Sequence, residues 1–235
     1  MSLNINRYED DPFFVENADR LNKSLLKKML AQGFLESLST SSEKTNYQFT
    51  QDADVLLLPG AWDTNEFSSK EGILMRNINR KIGGVKVDDK IFVLAASSFI
   101  TNLELVGEKL NITDTNEKDA VMKNDAISII NNSSTSVNVR RGSDVWSLTK
   151  EHDKPGEFKR LDINAEDYDL DADVWKDLEK GRSGGRIRGA YSSLFCIIGF
   201  PEPGQYRLQI LNDSDLYNSP GKRFDLEVNY HISVI

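Results

Sequence analysis

The amino-acid sequence predicts a mainly β protein, α+β by content, with an antiparallel β-sandwich or jelly-roll-like body and an N-terminal amphipathic helix. Apolar side chains occupy every second position from Phe224 to Val234, the pattern of a strand with one packed and one wet face. Shorter strand-like segments recur upstream between Gly, Pro and Asn turns, without Rossmann-type strand–helix alternation. Sheets with one wet face are usually antiparallel, so we expect antiparallel pairing.

An amphipathic helix is predicted near the start of the chain. Its apolar stripe consists of residues at helical spacing: Leu21, Leu25, Met29, Leu30, Phe34, Leu35 and Leu38. Asn17 or Asp19 is suited to cap it, and a polar connection follows. We therefore divide the chain into an N-terminal helical arm, residues 1–50, and an antiparallel β domain, residues 51–235.

Within the β domain the sequence predicts a series of short elements. Ile127 and Ile129 alternate on one arm of a predicted hairpin over residues 126–139, and Val137 and Val139 alternate on the other. A short helix is predicted near 172–180, between capping residue Asp171 and Gly181. The remaining predicted strands are 55–58, 91–94, 103–106, a strand at Trp146 and Leu148, 186–191, 194–200, 205–211 and 224–234.

The formal net charge of −8 is unevenly distributed along the chain. Residues 151–180 hold eleven acids and five bases, so the rest of the sequence is close to neutral. An acidic protein repels phosphate backbones and anionic lipid headgroups. We therefore expect no general nucleic-acid binding and no membrane association. The apolar stretches are also far shorter than the ~18 residues of a membrane-spanning helix.

The sequence favours cytoplasmic synthesis. The N-terminal residues lack the apolar region of a secretory signal, so we expect no secretion by a signal peptide. The single Cys196 lies in an apolar run and is predicted to be a small buried hydrophobe. Two His and one Cys are too few for an ordinary zinc site, and we predict no cofactor other than a candidate Ca²⁺.

One pattern resembles a hydrolase motif. Residues 181–185 match Gly-x-Ser-x-Gly around Ser183, and Asp213, Asp215, Asp225 and His231 follow in the order of a Ser–Asp–His triad. The motif requires a strand before the serine and a helix after it, whereas here a predicted helix precedes and a strand-like segment follows. His231 also falls on the polar side of the last strand. We therefore predict that the protein is not an enzyme and assign no catalytic residue.

An oxygen-rich run is the candidate metal site. Asp167, Asp169, Asp171 and Asp173 could supply the several oxygen ligands that Ca²⁺ requires. The EF-hand spacing fails in both registers that we compared. In one register the position that requires Gly holds another residue, and in the other the position that requires a bidentate Glu does. The alternative interpretation is a solvated acidic loop that leads into the short helix.

Two further groups are candidate binding residues. Arg182, Arg186 and Arg188 could clamp a phosphate or carboxylate, or could instead pair with the neighbouring aspartates. Trp62 follows Pro59 and Gly60 in a predicted loop, where an exposed Trp is typical of a sugar platform or protein contact. The alternative is a Trp folded back over the core.

These observations favour a non-enzymatic structural or assembly protein that acts through protein–protein contacts and forms oligomers. Its partners would be further copies of itself or other structural subunits, for example in a viral or phage capsid, tail or baseplate, so incorporation into a virion is one expectation. The alternative is a carbohydrate- or ligand-binding β-sandwich module, with Ca²⁺ dependence as an option. The polar side of the last strand is a candidate contact surface: Arg223, Asp225, Glu227, Asn229 and His231.

Overall fold

The computed structural model describes residues 3–31, 50–52, 55–58, 72–103, 105, 107–151, 156–170, 185–215 and 223–235. The predicted helix at 172–180 lies outside these residues. The helices and strands within them are β1 (Asn6–Arg7), α1 (Pro12–Ala31), β2 (Thr50–Asp52), β3 (Val55–Leu58), β4 (Gly72–Val85), β5 (Lys90–Thr101), a 3₁₀ helix (Gly107–Asn111), α2 (Thr115–Asn131), β6 (Ser134–Arg141), β7 (Asp144–Lys150), β8 (Lys159–Leu170), β9 (Gly185–Gly199), β10 (Gly204–Asp215) and β11 (Arg223–Val234).

The described strands form two sheets. The five-stranded sheet has the order β4-β11-β10-β6-β7, and the six-stranded sheet has the order β1-β9-β5-β3-β2 with β8 also paired to β9. The mainly β prediction is confirmed. Antiparallel pairing needs a correction, because β4 with β11 and β3 with β5 are parallel pairs. Alternation along a strand reports which face is buried and says nothing about a neighbour's direction. A jelly roll is not confirmed.

The six-stranded sheet is buried on both faces. Cys196 and Ile198 of β9 belong to a hydrophobic cluster that also takes side chains from the five-stranded sheet. Phe195 and Ile197, on the opposite side of the same strand, belong to a second cluster with helix α1. A strand covered on both sides needs apolar residues at successive positions, not at alternate ones. The two strands predicted at 186–191 and 194–200 are accordingly one long strand, and the burial of Cys196 is confirmed.

Helix α1 covers the outer face of the six-stranded sheet. Leu21 and Leu25 are buried there, as the helical stripe predicted. The predicted caps are wrong, because the helix begins at Pro12 and the backbone N of Phe13 donates to Asp11 Oδ1 over 2.9 Å. Proline at the first helical position and an Asp before it are the usual start signals. The domain boundary at residue 50 stays a prediction.

One buried hydrogen bond fixes α1 against the sheet. Asn22 and Ser193 are both fully buried, and Ser193 Oγ donates to Asn22 Oδ1 over 2.9 Å. Asn22 Nδ2 donates in turn to the carbonyl oxygen of Ala18. A buried amide requires such partners, so this pair restricts the helix to one position along β9.

Helix α2 replaces the first arm of the predicted hairpin. The hairpin over 126–139 is wrong, because residues 115–131 are helical and only Val137 and Val139 lie on a strand, β6. Asp114 caps the helix by accepting from the backbone N of Glu117 over 2.9 Å. This Asp-x-x-Glu pattern is a helix start signal that outweighs the chance alternation of two isoleucines. The real hairpin joins β6 to β7, which confirms the strand at Trp146.

The inner face of the six-stranded sheet extends beyond the five-stranded sheet, and α2 covers the remainder. Met122 and Ala126 of α2 pack with Ile100 of β5 and Ala190 of β9 in a third hydrophobic cluster. A 3₁₀ helix lies between β5 and α2, and no strand is assigned to the described part of the predicted strand at 103–106.

We expect Gly189→Ala to destabilise the fold, because β9 approaches β5 closely at this point. An added Cβ would lie 2.7 Å from Phe99 Cε2 and 3.0 Å from the carbonyl oxygen of Ile100. Overpacking of this kind costs about 1–3 kcal/mol. Gly83→Ala is the matched control, since nothing lies within 4 Å of the corresponding Cβ. Urea unfolding should show a lower midpoint for Gly189→Ala only, and equal midpoints would contradict the packing described here.

Candidate functional site

The outward side of the five-stranded sheet is the candidate site, and we call it the contact face. Leu226, Val228 and Tyr230 of β11 point into the core, so Asp225, Glu227, Asn229 and His231 point outward. Because β10 and β6 pair in register with β11, their alternate residues join the same surface. The polar row predicted from the last strand therefore extends across the sheet.

One end of the contact face is acidic and concave. We define the acid end as Glu151, Asp213, Asp225 and Glu227. A cavity of about 530 Å³ lies over the acid end. Three successive residues from each of four neighbouring strands line it, and one of them, Glu151, comes directly after the end of its strand. All lining residues come from the five-stranded sheet or follow it directly, so the cavity is on the outer side.

Hydroxyl groups complete the acid end. Ser134, Ser136 and Thr149 also line the cavity. Arg223 Nε donates to Asp213 Oδ1 over 2.6 Å, and Arg207 Nη2 lies 3.9 Å from Glu227 Oε1, so Asp213 and Glu227 each have a salt-bridge partner. Carboxylates and hydroxyls suit cationic groups or the hydroxyls of a sugar as hydrogen-bond partners.

A hydrogen-bonded network crosses the middle of the contact face. Arg207 donates to Asn229 Oδ1 through Nε and Nη2, at 2.9 and 2.7 Å. Asn229 Nδ2 and Gln209 Nε2 both donate to Glu227 Oε1, at 3.1 and 3.0 Å. Asn229 is only 1% exposed despite facing outward, because this network covers it. The network holds these side chains in one arrangement, as satisfied polar networks do.

The other end of the contact face is basic, and we define the basic end as Lys81, Arg140 and Arg207, with His231 between Lys81 and Arg207. These four residues are directly opposite one another across β4, β11, β10 and β6. Loss of hydration lowers the pKa of His231, and the charges of Arg207 and Lys81 lower it further. His231 Nε2 lies 3.3 Å from Asn79 Oδ1, and the ring is exposed, as its predicted position required.

Asp225 and His231, at opposite ends of the contact face, lie about 20 Å apart, since they are six residues apart on one strand. Two members of the triad pattern are therefore separated. Between them, the side chain of Arg207 reaches to within 3.9 Å of Glu227 Oε1. Asp213 is opposite Asp225, whereas His231 is opposite Arg207. Ser183 lies outside the described residues, as do Trp62, Asp171, Asp173 and Arg182.

The structure brings the predicted binding arginines together with the predicted metal ligands. Asp167 is opposite Arg188 and Asp169 is opposite Arg186 where β8 pairs with β9. Arg186 Nε lies 3.3 Å from Asp169 Oδ1, and Arg188 Nη1 lies 3.2 Å from Asp167 Oδ1. The pairing alternative is thus observed for these two arginines. Among the described residues, no group of three His, Cys, Asp or Glu side chains is placed to hold a metal ion.

Arg188 has a further partner that the sequence did not indicate. Its Nε and Nη2 donate to the two carboxylate oxygens of Asp119 in α2, at 2.8 and 2.5 Å. These contacts raise the pKa of the Arg188 guanidinium. The sequence did not indicate Asp119 because 69 residues separate the pair and no helix was predicted over residues 115–131. Arg188 therefore fastens α2 to the six-stranded sheet.

We expect Arg188→Gln to lower the free energy of unfolding by about 1–2 kcal/mol, since a two-oxygen charged contact is lost at a half-buried site. Arg186→Gln is the matched control. Its side chain is 74% exposed and its partner Asp169 is 87% exposed. Such exposed pairs contribute little. Chemical unfolding should separate the two variants, and an equal effect would contradict the role of Arg188 at α2.

Within the described part of the chain, neither helix is long and apolar enough to cross a membrane. No protein-family model matches the sequence, and no curated protein matches it. A solved structure titled "Structure of PbICP-C in complex with falcipain-2" aligns with 77% of this chain and 99% of its own, at 10% identity and a TM-score of 0.26. A likeness at this level supports no argument about fold or function.

Proposed function

We propose that the protein is a non-enzymatic assembly protein that acts through protein–protein contacts, and that the contact face binds the partner. The observation that carries this proposal is the layout of the contact face: an acid end, a fixed polar network and a basic end on one sheet. Charge separated in this way gives orientation to a complex as well as attraction. On this proposal the body is a β-sandwich with one face in its own core and the other against a partner.

The sheet edges are less suited to assembly than the contact face. In the described residues β4 and β7 end the five-stranded sheet, and each directs a cationic side chain inward. Arg80 of β4 is 4% exposed and donates to the Tyr230 hydroxyl. Lys150 of β7 is 8% exposed and donates to the carbonyl oxygens of Asn131 and Ser133. Inward-pointing charges on edge strands oppose edge-to-edge pairing.

Helix α1 is also unsuited to a free assembly arm. Phe14, Leu21 and Leu25 are buried in the cluster that covers Phe92 and Phe195. Removing residues 1–40 would expose that cluster to water, so the truncation would test folding and not assembly. Tests of assembly therefore require the full chain with substitutions on the surface. The viral or phage setting stays a prediction.

We expect a photo-activated cross-linker to capture a partner from the contact face only. Ser147 is exposed on the outward side of β7, and Asn124 is exposed on α2, away from this sheet. Benzoylphenylalanine at position 147 should give a discrete covalent adduct in the cells that make the protein, with the second chain identified by mass spectrometry. The same group at position 124 should give none. Absence of any adduct from position 147, or equal adducts from both positions, would refute the proposal.

The second candidate is a carbohydrate- or ligand-binding module, and the cavity at the acid end is the observation that favours it. A volume of about 530 Å³ is within the usual range for small-ligand sites. Its serine and threonine hydroxyls and its carboxylates can accept and donate hydrogen bonds to sugar hydroxyls. Among the described residues that line it none is aromatic, so the stacking surface common in sugar sites would have to come from elsewhere.

A glycan array distinguishes this candidate from the assembly proposal. If the cavity binds a carbohydrate, the full chain should show saturable binding to a defined glycan class. Asp225→Asn should weaken that binding about tenfold, because each good hydrogen bond to a charged group contributes on the order of 1.5 kcal/mol. Asp169→Asn, at an exposed carboxylate on the other sheet, is the control. Absence of binding across the array would eliminate the candidate.

A further inference from the structure

We infer that the partner bound by the contact face is a second copy of this chain, related by a twofold axis that places the acid end of each copy against the basic end of the other. This inference rests on the proposed use of the contact face and adds the identity and orientation of the partner. It depends on a property of the whole face, namely that its charge pattern is complementary to itself after rotation.

The required axis follows from the positions of the charges along the strands. It lies in the interface, crosses the strands at right angles and passes at the level of Val228, midway between Asp225 and His231 on β11. Rotation about it reverses the strand direction while keeping each strand opposite its own copy. Asp225 then faces His231 of the second copy, with Lys81 of that copy one strand away, and Asp213 faces Arg207. A twofold interface of this kind repeats each contact twice.

Two other orientations are disfavoured by the same charges. An axis parallel to the strands would place the acid end on the acid end and Lys81, Arg140 and Arg207 on their own kind. Like charges placed against each other in an interface oppose binding strongly. If the second copy were stacked on the first without any rotation, the buried side of its sheet would have to meet the contact face. The charge pattern therefore selects one axis.

Shape is consistent with this orientation. The acid end is concave, with a cavity of about 530 Å³. Arg140 is exposed on β6 at the opposite end of the contact face. The rotation places Arg140 of one copy over Ser134 of the other copy, between the positions of Glu151 and Asp213 on the neighbouring strands. A long guanidinium side chain entering a carboxylate-lined cavity can form paired hydrogen bonds. The cavity thus has an occupant of suitable length and charge within the second copy.

The size of the contact face sets the strength of the dimer. Six residues along the strands and five strands across give a patch of roughly 20 Å by 20 Å. This is small compared with the roughly 800 Å² that each partner contributes to a standard interface. The dimer should therefore be weak and reversible. It should also dissociate at high salt, because the Debye length falls from about 8 Å at 0.15 M to about 3 Å at 1 M.

The experiment is a charge-swap complementation on the full chain. Variant one carries Glu151→Lys and Asp225→Lys, and variant two carries Lys81→Glu and Arg140→Glu. Each variant alone places like charges at both contacts, so its dimer dissociation constant should rise by about tenfold or more. In an equal mixture, variant one has a contact face that is basic at both ends, and variant two has a contact face that is acidic at both ends. The mixture should regain a 1:1 dimer in sedimentation velocity runs between about 10 μM and about 1 mM.

Matched controls have the same change in net charge at exposed positions off the contact face. Glu16→Lys with Glu108→Lys matches variant one, and Lys27→Glu with Lys86→Glu matches variant two. Neither control should alter dimerisation of the single protein, and a mixture of the two controls should behave as the unmodified chain does. Far-UV circular dichroism checks that each variant folds. Should a double variant unfold, the single changes Asp225→Lys and Lys81→Glu replace the pair.

Three outcomes would overturn the inference. The unmodified chain could stay monomeric at every concentration, either variant alone could dimerise as well as the unmodified chain, or the mixture could fail to restore the dimer. A monomeric chain that still gives a cross-linked adduct with a different protein from position 147 would support the contact face and reject self-association. A chain with neither dimer nor adduct would reject both.

Discussion

Burial of the six-stranded sheet on both faces is the constraint on which the rest of the structure depends. Strand β9 sends Cys196 and Ile198 toward the five-stranded sheet and Phe195 and Ile197 toward α1. Over the described residues the central strands β5 and β9 are buried on both sides for most of their length, and exposed polar side chains of this sheet, such as Asp169 and Arg186, lie near its β8 edge. The five-stranded sheet is covered on one side only, so its outer side is the extended polar sheet surface of the described residues. The position of the contact face is therefore a consequence of how the apolar surface is distributed.

The pairing register of the strands determines which side chains are neighbours on that surface. In β10 and β11 twelve consecutive residues pair one to one without a bulge, so every outward residue of one strand has a fixed neighbour on the other. A slip of one residue would turn Asp225 and Glu227 into the core and is excluded by the cost of burying charge. Arg207, Asn229 and Glu227 are consequently held as one network. The order of the charged residues along these strands is therefore as well defined as the core itself.

The sequence was sufficient for features that depend on local pattern and insufficient for those that depend on distant partners. Alternation along the last strand correctly placed His231 on the wet side, since side-chain direction in a strand has a period of two. The helix near the start was recognised from its buried stripe, although Asp11 and Pro12 were overlooked as its start. The missed helix α2 had a local signal in Asp114 and Glu117, but two isoleucines with strand-like spacing competed with it. Parallel pairing of β4 with β11 and the contact of Arg188 with Asp119 had no local signal.

Arg188 and Asp167 show that strand pairing can turn a charged cluster that resembles a binding site into a set of internal ion pairs. In sequence, three arginines beside four aspartates are compatible with a phosphate clamp, a cation site or internal ion pairs. Pairing of β8 with β9 puts Asp167 and Asp169 opposite Arg188 and Arg186, so the two sets partly neutralise each other. On the contact face Arg207 reaches Glu227 and Arg223 pairs with Asp213, whereas Asp225 and Lys81 lie at opposite ends of the face, about 20 Å apart. In the inferred dimer, a rotated copy of the same face would bring charges of opposite sign to both ends.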